Sequence, residues 1–426
     1  MSFLAAALLG LFVAACGNKG YQTVEVAQFK EAIKNPSITL VDVRTPEEFA
    51  QGHIDNALNI DFKNGQFIEN FKGAVPQESQ VAVYCRSGKR SAAAAEQLEA
   101  LGYDVLNLDG GITAWNEFKH KRDYVIVIHG GAGDIASVEK DSVRAATYYA
   151  ALDSALMIGS QALENGSEGP QAVMAVINYL ENNPLFNAGK GATITNEGTF
   201  ELDACIMEGK DLTAGAVAGV KTVKNPINAA YAVKTKSDHV MLAGSGADAF
   251  AAEQGLELVD NIYFATPKTM KWVTELSKKS KKNGTVGCVI LDKDGNLTAG
   301  TSTGGMFRKK WGRIGDAPIV GAGTYADNNS CAVSCTGHGE YYIRHAVAFN
   351  LSARYKYLGE SLEDAARHII HTDLNSQEGN GGLIAIDKEG NIAMEFNSTG
   401  MYRGFLYKNE GTAGVVSKVG IGETLK

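Results

Sequence analysis

The sequence predicts two α/β domains in tandem: a parallel sheet flanked by helices, then a larger domain built on two stacked antiparallel sheets. Three observations carry this. From Tyr21 to about Lys119 short apolar runs alternate with helical patterns. A charged connector, "KHKRD", then leads into a fresh apolar run, "YVIVIHGGAG". Farther on, "GCVILDKDGNLTAGTSTGGMFR" is echoed by "GLIAIDKEGNIAMEFNSTGMYR", each an apolar strand, a D-K-[DE]-G-N turn and a second strand. Two such hairpins, far apart along the chain, suit two stacked sheets and are too few for a solenoid.

The elements follow in order. Residues 3–15 form an uncharged apolar run with the length of a signal h-region rather than a membrane span. It ends in Val13-Ala14-Ala15-Cys16, which resembles the lipobox of bacterial lipoproteins. Residues 1–16 are therefore expected to be a signal segment, with Cys16 lipidated and the chain held at a periplasmic or cell-surface membrane only through acyl chains. In residues 17–121, "ITLVDVR" and "QVAVYC" read as strands, "TPEEFAQ" and "SAAAAEQLEALG" as helices. The boundary falls near Lys121, and residues 122–426 form the second domain. Net charge is −8 and the longest basic run is Lys278 to Lys282, which excludes a nucleic-acid partner. Six cysteines show neither metal-ligand spacing nor a disulfide framework; Cys331 and Cys335 share a strand face about 13 Å apart and read as buried hydrophobes. "LAGSGADAFA" carries a weak dinucleotide fingerprint, but no further βαβ unit follows it.

Cys85 follows the strand "VAVY" and opens a helix through "CRSGKRS". Loop N–H groups, a positive helix end and the cations Arg86, Lys89 and Arg90 would lower its pKa and make it a nucleophile. Four residues separate Cys85 from Arg90, one fewer than in cysteine-class protein phosphatases. With "VDVRTPEEFAQGHIDNALNI", "CRSGKRS" and "LDGGITAW" in family order, this half resembles a single-domain rhodanese. The resemblance implies that Cys85 accepts a sulfane sulfur from an unidentified donor. Loop amides and Arg90 would steady the persulfide, and Asp42 and Arg44 would be structural.

In "KKNGTVGCVILDKDGN" a basic loop delivers Thr285, directly after Gly284, to the start of an apolar strand. Cleavage between the two would give Thr285 a free α-amine of pKa roughly 7.7–8.0, placing nucleophile and base on one residue. Glycine before the threonine permits the strained backbone that an N→O acyl shift needs. A two-residue Asp294-Gly295 turn would set Thr285 level with Gly304, one residue from Thr303, whose hydroxyl could assist. "GRIGDAP" offers Arg313 and Asp316, a guanidinium and a carboxylate suited to the two ends of an amino acid. At the turn "VSCTGHGE", Thr336 and Gly337 can donate to an oxyanion, and Gly339 allows close backbone approach.

Here the resemblance is to the plant-type asparaginase and isoaspartyl peptidase family of N-terminal-nucleophile hydrolases. It rests on "IHGGAG", "LENNPLFNAGKGA", "ELDACIM", "NGTVGCVILDKDGN", "TSTGGM", "GRIGDAPIVGAGTYADN" and "CTGHGE". The resemblance implies an αββα sandwich made as a precursor, cut between 284 and 285, and a homodimer of cleaved chains. Thr285 is then the nucleophile and Thr303 its supporting hydroxyl. Arg313 and Asp316 hold the substrate's α-groups, Thr336 and Gly337 form the oxyanion site, and Gly339 adds a backbone contact. No cofactor is required, although the segment Leu180, Glu181, Phe186, Ala188 and Lys190 matches carbonyls that hold a structural sodium ion. His338 has no role of its own. The implied activity is hydrolysis of asparagine or β-aspartyl dipeptides. The rivals are a glycosylasparaginase, whose nucleophile usually follows Asp rather than the Gly284 found here, and a sulfur-relay protein with an inert larger half.

Overall fold

The computed structural model describes residues 21–77, 79–120, 122–267, 269–270 and 284–426. Cys16 with its apolar run, and the Lys278-to-Lys282 stretch, lie outside them. The chain divides into two compact units, Met1–Lys121 and Arg122–Lys426. Among the described residues no helix is long and apolar enough to cross a membrane.

In the first unit, strands β1 (Tyr21–Val24), β2 (Ile38–Asp42), β3 (Leu58–Asn59), β4 (Gln80–Tyr84) and β5 (Asp104–Leu108) pair in parallel in the order β1-β5-β4-β2-β3. The intervening helices are α1 (Val26–Ala32), α2 (Pro46–Ala50), α3 (Phe67–Ala74), α4 (Lys89–Ala100) and α5 (Gly111–His120). Both faces of the sheet are covered. Val81 and Val83 of β4 pack in one core with Phe71 and Leu98, while Ala82 and Tyr84 pack in another with Phe29 and Leu106. That is why the strands read as unbroken apolar runs rather than alternating ones. Asp42 and Arg44 form a buried ion pair, the Arg44 Nη2 reaching Asp42 Oδ2 at 2.7 Å and the Gly52 carbonyl at 2.6 Å.

The second unit begins with β6 (Arg122–Gly133), α6 (Ala136–Glu139), α7 (Ser142–Glu164) and α8 (Gly169–Asn182). Asp141 caps α7 by accepting from the Arg144 N–H at 3.2 Å. Strands β7 (Leu202–Glu208) and β8 (Ala214–Val220), helix α9 (Pro226–Lys236), the short edge strand β9 (Met241–Ala243) and α10 (Gly244–Glu253) follow, the last two holding the glycine fingerprint. Then come β10 (Val286–Leu291), β11 (Leu297–Thr303), β12 (Thr324–Ala326) and β13 (Cys331–Gly337). Helices α11 (Gly339–Arg344), α12 (Val347–Ala353) and α13 (Leu362–His368) lead to β14 (Gly381–Asp387), β15 (Ile392–Phe396), β16 (Gly400–Asn409) and β17 (Val415–Gly420).

These strands form two sheets, β17-β16-β6-β10-β11-β7-β8-β9 and β12-β13-β14-β15. Three cores separate four layers. Ile126 and Ile128 of β6 pack with Leu156 and Val176 of the first helical layer. Val125 and Val127, on the opposite face of β6, meet Ile384 and Ile386 of β14 between the sheets. Val333 and Cys335 of β13 pack outward with Leu351 and Ala366. The result is an αββα sandwich in which each buried Ile, Leu or Val contributes roughly 1.5–3 kcal/mol.

The hairpins that echo each other in sequence are the same loop built twice, once in each sheet. Asp292 and Asn296 close the β10–β11 loop at 3.0 Å, Gly295 adopts φ +78°, and Asp292 Oδ1 accepts from the N–H groups of Asp294 and Asn296. Asp387, Gly390 (φ +84°) and Asn391 repeat the arrangement between β14 and β15. This is a three-residue loop with a left-handed glycine, not the two-residue turn expected from Asp294-Gly295. The register shifts accordingly: Val286 pairs with Ser302 and Leu291 with Leu297. Continued one residue back, that register sets Thr285 opposite Thr303, not Gly304.

Candidate active site

Thr285 stands one residue ahead of β10, a central strand flanked by β6 and β11. Its neighbours are thus fixed by two ladders, and it is only 6% exposed. The corrected register brings the two threonines together: Thr285 Oγ1 donates to Thr303 Oγ1 at 3.3 Å. Thr303 Oγ1 also reaches the Gly284 carbonyl at 3.1 Å and accepts from the Gly305 N–H at 2.9 Å.

Two residues at this site were not singled out in the sequence. Asn187 Nδ2 donates to the Gly284 carbonyl at 2.7 Å and to that of Gly305 at 2.9 Å, while its Oδ1 accepts from the Thr193 N–H. The carbonyl of the Gly284–Thr285 bond is therefore held by an amide and a hydroxyl, the donors that a developing oxyanion there would need. His129, in "IHGGAG", bonds the Thr285 carbonyl through Nδ1 at 2.9 Å and Ser334 Oγ through Nε2 at 2.9 Å. Burial pushes its pKa down to about 3, so the ring is neutral. Because a carbonyl only accepts, Nδ1 carries the hydrogen and Ser334 donates to Nε2. Thr301 and Thr324 continue this network behind the nucleophile at 2.7 and 2.6 Å. Gly287 is required here, since a Cβ would run into both His129 and Ser334.

A cavity of about 10 Å³ is lined by Gly284, Thr285, Thr303, Arg313, Asp316 and Gly337 among others. That is room for about one water, with the continuous chain at Gly284 in its wall. Asp316 is buried, and burial pushes its carboxyl up to about 7. Its Oδ2 has no hydrogen-bond partner, a lone acceptor suited to a cationic donor. Arg313 donates Nε and Nη2 to Glu340, both at 2.9 Å, which fixes the guanidinium and leaves its remaining N–H groups for another anion. Glu340 is a further positioning residue that sequence reading passed over. Gly339 is necessary where α11 begins: a Cβ would sit 2.8 Å from Arg313 Nη2 and 2.9 Å from Asp316 Oδ1.

Thr336 is buried on β13, its hydroxyl accepting from the Ala132 N–H at 3.3 Å and keeping its own hydrogen to donate. His338 is half-exposed, its Nε2 3.7 Å from Glu340 Oε2. In the Leu180–Lys190 segment, the Leu180 and Ala188 carbonyls accept from Asn183 and Gly191, leaving each a free lone pair. The Glu181 and Phe186 carbonyls crowd Gly189 and Gly191, on either side of Lys190. The described residues contain no cluster of three metal-ligating side chains. Hard carbonyl donors without thiol or imidazole fit an alkali ion and not a transition metal.

The first unit carries a separate candidate nucleophile, Cys85. Burial pushes the Cys85 thiol up, but hydrogen bonds from the Ser91 hydroxyl and from the backbone N–H groups of Ser91, Ser87 and Arg90 outweigh it, and the pKa ends below its ordinary value. The Arg90 guanidinium interacts with the Cys85 sulfur through its charge. It grips Glu48 at 2.6 and 2.7 Å, and Glu48 is in turn fixed by a capping box with Thr45. A bidentate carboxylate is the stronger hydrogen-bond partner for the fork, so Arg90 gives Cys85 a hydrogen bond from its backbone N–H and acts on it from the side chain through charge. Cys205, Cys288, Cys331 and Cys335 are buried and free, and burial raises all four thiols.

Comparisons with known proteins cover both units. The family described as Asparaginase matches residues 122–416, and that described as Rhodanese-like domain matches residues 25–118. The isoaspartyl peptidase of Salmonella typhimurium is 45% identical over 300 residues, which cover 67% of this chain and 96% of that protein. That of Escherichia coli K12 is 45% identical over 300 residues, covering 67% and 94%. An isoaspartyl peptidase/L-asparaginase of Mus musculus is 40% identical over 286 residues, covering 65% and 86%.

Proposed function

The chain belongs to the asparaginase family with a rhodanese-like domain ahead of it, and we propose that its larger unit is an autoprocessing threonine hydrolase of asparagine and β-aspartyl dipeptides. One observation carries this reading: Thr285 Oγ1 faces Thr303, beside a Gly284 carbonyl held by Asn187 and Thr303, in the cavity that Arg313 and Asp316 also line.

Attack of Thr285 Oγ on the Gly284 carbonyl, stabilised by Asn187 and Thr303, forms an ester and frees the α-amine; water then releases the Gly284 carboxylate. In the mature site the α-amine takes the hydroxyl proton, and Oγ attacks the substrate's side-chain carbonyl carbon. Thr336 and Gly337 donate to the oxyanion, Arg313 holds the α-carboxylate and Asp316 the α-ammonium. The α-ammonium of Thr285 passes its proton to the departing nitrogen, leaving a β-aspartyl ester that water hydrolyses. A sodium ion held through carbonyls of Leu180, Glu181, Phe186, Ala188 and Lys190 would stiffen the turn that carries Asn187.

Cys85 is the sulfur acceptor of the smaller unit: its thiolate takes the outer sulfur of a donor such as thiosulfate, releasing sulfite, and hands it to an acceptor such as cyanide. Dimerisation of cleaved chains and lipidation of Cys16 complete the proposal, the latter supported by the residue 3–15 run alone.

The test is an intact-mass spectrum under denaturing conditions, with ammonia release from asparagine and aspartate release from β-aspartyl-leucine measured on the same sample. Two fragments, the smaller starting at Thr285, with hydrolysis of at least one substrate are expected. A single uncut chain that hydrolyses neither overturns the reading.

A further inference from the structure

A second cavity, of about 120 Å³, also borders Gly284, with Gly131, Arg144, Tyr148, Phe186, Asn187 and Tyr402 in its wall. Gly284 lines both cavities. We propose that this second cavity is the leaving-group subsite for β-aspartyl dipeptides, in which Arg144 receives the α-carboxylate of the released amino acid. The inference rests on the hydrolase reading above and specifies what that site does with a peptide rather than an amide.

The placement follows from where the proton must go. The nitrogen leaving the tetrahedral intermediate is protonated by the α-amine of Thr285, so it must lie within hydrogen-bond reach of that amine. In the uncut chain Gly284 occupies that place, bonded to the Thr285 nitrogen. Once the bond is cut Gly284 is a chain end, and its departure joins the two cavities. An aspartyl group held by Arg313 and Asp316 then fills the first, and whatever is attached to its side-chain nitrogen enters the second.

The walls match an amino acid. Tyr148 and Tyr402 stack at 4.2 Å with their rings 10° apart, and Phe186 meets Tyr148 edge-on at 5.9 Å, giving an apolar surface for a side chain. Arg144 sits in the first turn of α7, and its guanidinium makes no ion pair among the described residues. Asp134, in the same wall, is in reach of the Thr399 hydroxyl at 3.4 Å, and Arg144 is the wall's cation. Ammonia, released from asparagine, has neither carboxylate nor side chain to place there. The subsite therefore acts on dipeptides alone.

The experiment uses the full, self-cleaved protein and two variants, Arg144→Met and Arg144→Lys. Each is checked by intact mass and assayed for kcat/KM on β-aspartyl-leucine, β-aspartyl-leucinamide and asparagine. A charge-assisted contact predicts that Arg144→Met lowers the ratio of β-aspartyl-leucine to asparagine roughly tenfold or more, with partial rescue by lysine. Blocking the carboxylate as the amide should cost the wild type the same factor and cost Arg144→Met nothing further. An unmoved ratio, or an amide penalty that survives in the variant, overturns the subsite. Wild-type enzyme that hydrolyses asparagine but not the dipeptide also overturns it, leaving the parent reading intact. Enzyme that hydrolyses neither sinks both.

Discussion

Thr285 and Cys85, the nucleophiles proposed for the two units, are prepared in opposite ways. Cys85 needs no covalent change: its thiol is lowered by backbone N–H groups and the Ser91 hydroxyl where β4 meets α4, so folding alone makes it reactive. Thr285 has a hydroxyl in place, but in the continuous chain its nitrogen is an amide, and the cavity before it has room for about one water. In the proposed mechanism its base is released and its pocket emptied by one and the same cut. The contrast follows from chemistry, because a thiol sits within reach of neutral pH and hydrogen bonds can carry it there. A hydroxyl does not, and needs a general base beside it.

The sharpest way to break the comparison is to remove each nucleophile. Thr285→Ala should leave a single uncut chain by intact mass and abolish aspartyl hydrolysis, with thiosulfate-to-cyanide transfer at the wild-type rate. Cys85→Ser should do the reverse. Loss of both activities in either variant would show that the units are not chemically independent. Next in size, Asn187→Ala removes a donor from the Gly284 carbonyl and should slow self-cleavage about 10²–10³-fold in a mass-spectrometric time course, without touching sulfur transfer.

The pH dependences sharpen the contrast further. Asp316, raised to about 7 by burial, is a neutral acid below that pH and cannot pair with an α-ammonium. Apparent KM for asparagine should therefore rise as pH falls below 7, by up to about tenfold per unit, while kcat follows the Thr285 amine near roughly 7.7–8.0. A flat KM between pH 5 and 8 would remove Asp316 from the substrate. The smallest effect is Ser91→Ala, which takes one hydrogen bond from the thiolate. The pH midpoint of Cys85 alkylation should rise; an unmoved midpoint would assign the activation to the backbone alone.

Much of this was legible in the sequence, and the misses have physical causes. Layering could be read because strands buried on both faces appear as apolar runs, and the Asp-x-x-Gly-Asn echo gave one hairpin in each sheet. The Thr285–Thr303 register was off by one residue because turn length, not turn composition, sets it: Asp292 closes the loop one position earlier than Asp294-Gly295 suggests. Asn187 and His129 lay inside quoted motifs, yet no spacing rule connects a residue near 130 or 187 to a carbonyl at 284 or 285. Only the β6–β10 pairing and the turn after α8 bring them there. The charge of Arg90 beside the thiol could be read from the loop, but its ion pair with Glu48, forty-two positions back, could not.

The strand order of the large sheet has a consequence for the molecule's lifetime. A cut before Thr285 assigns β6 to β9 to one polypeptide and β10 to β17 to the other, yet the sheet reads β17-β16-β6-β10-β11-β7-β8-β9. The two pieces are interleaved, meeting along three ladders at β16/β6, β6/β10 and β11/β7. They stay together without a covalent link, but what folded as one chain would have to reassemble as two, at a rate that depends on their concentration. The proposed self-cleavage would make folding a step this protein completes once, with its persistence from then on set by how slowly it opens rather than by an equilibrium with its unfolded state.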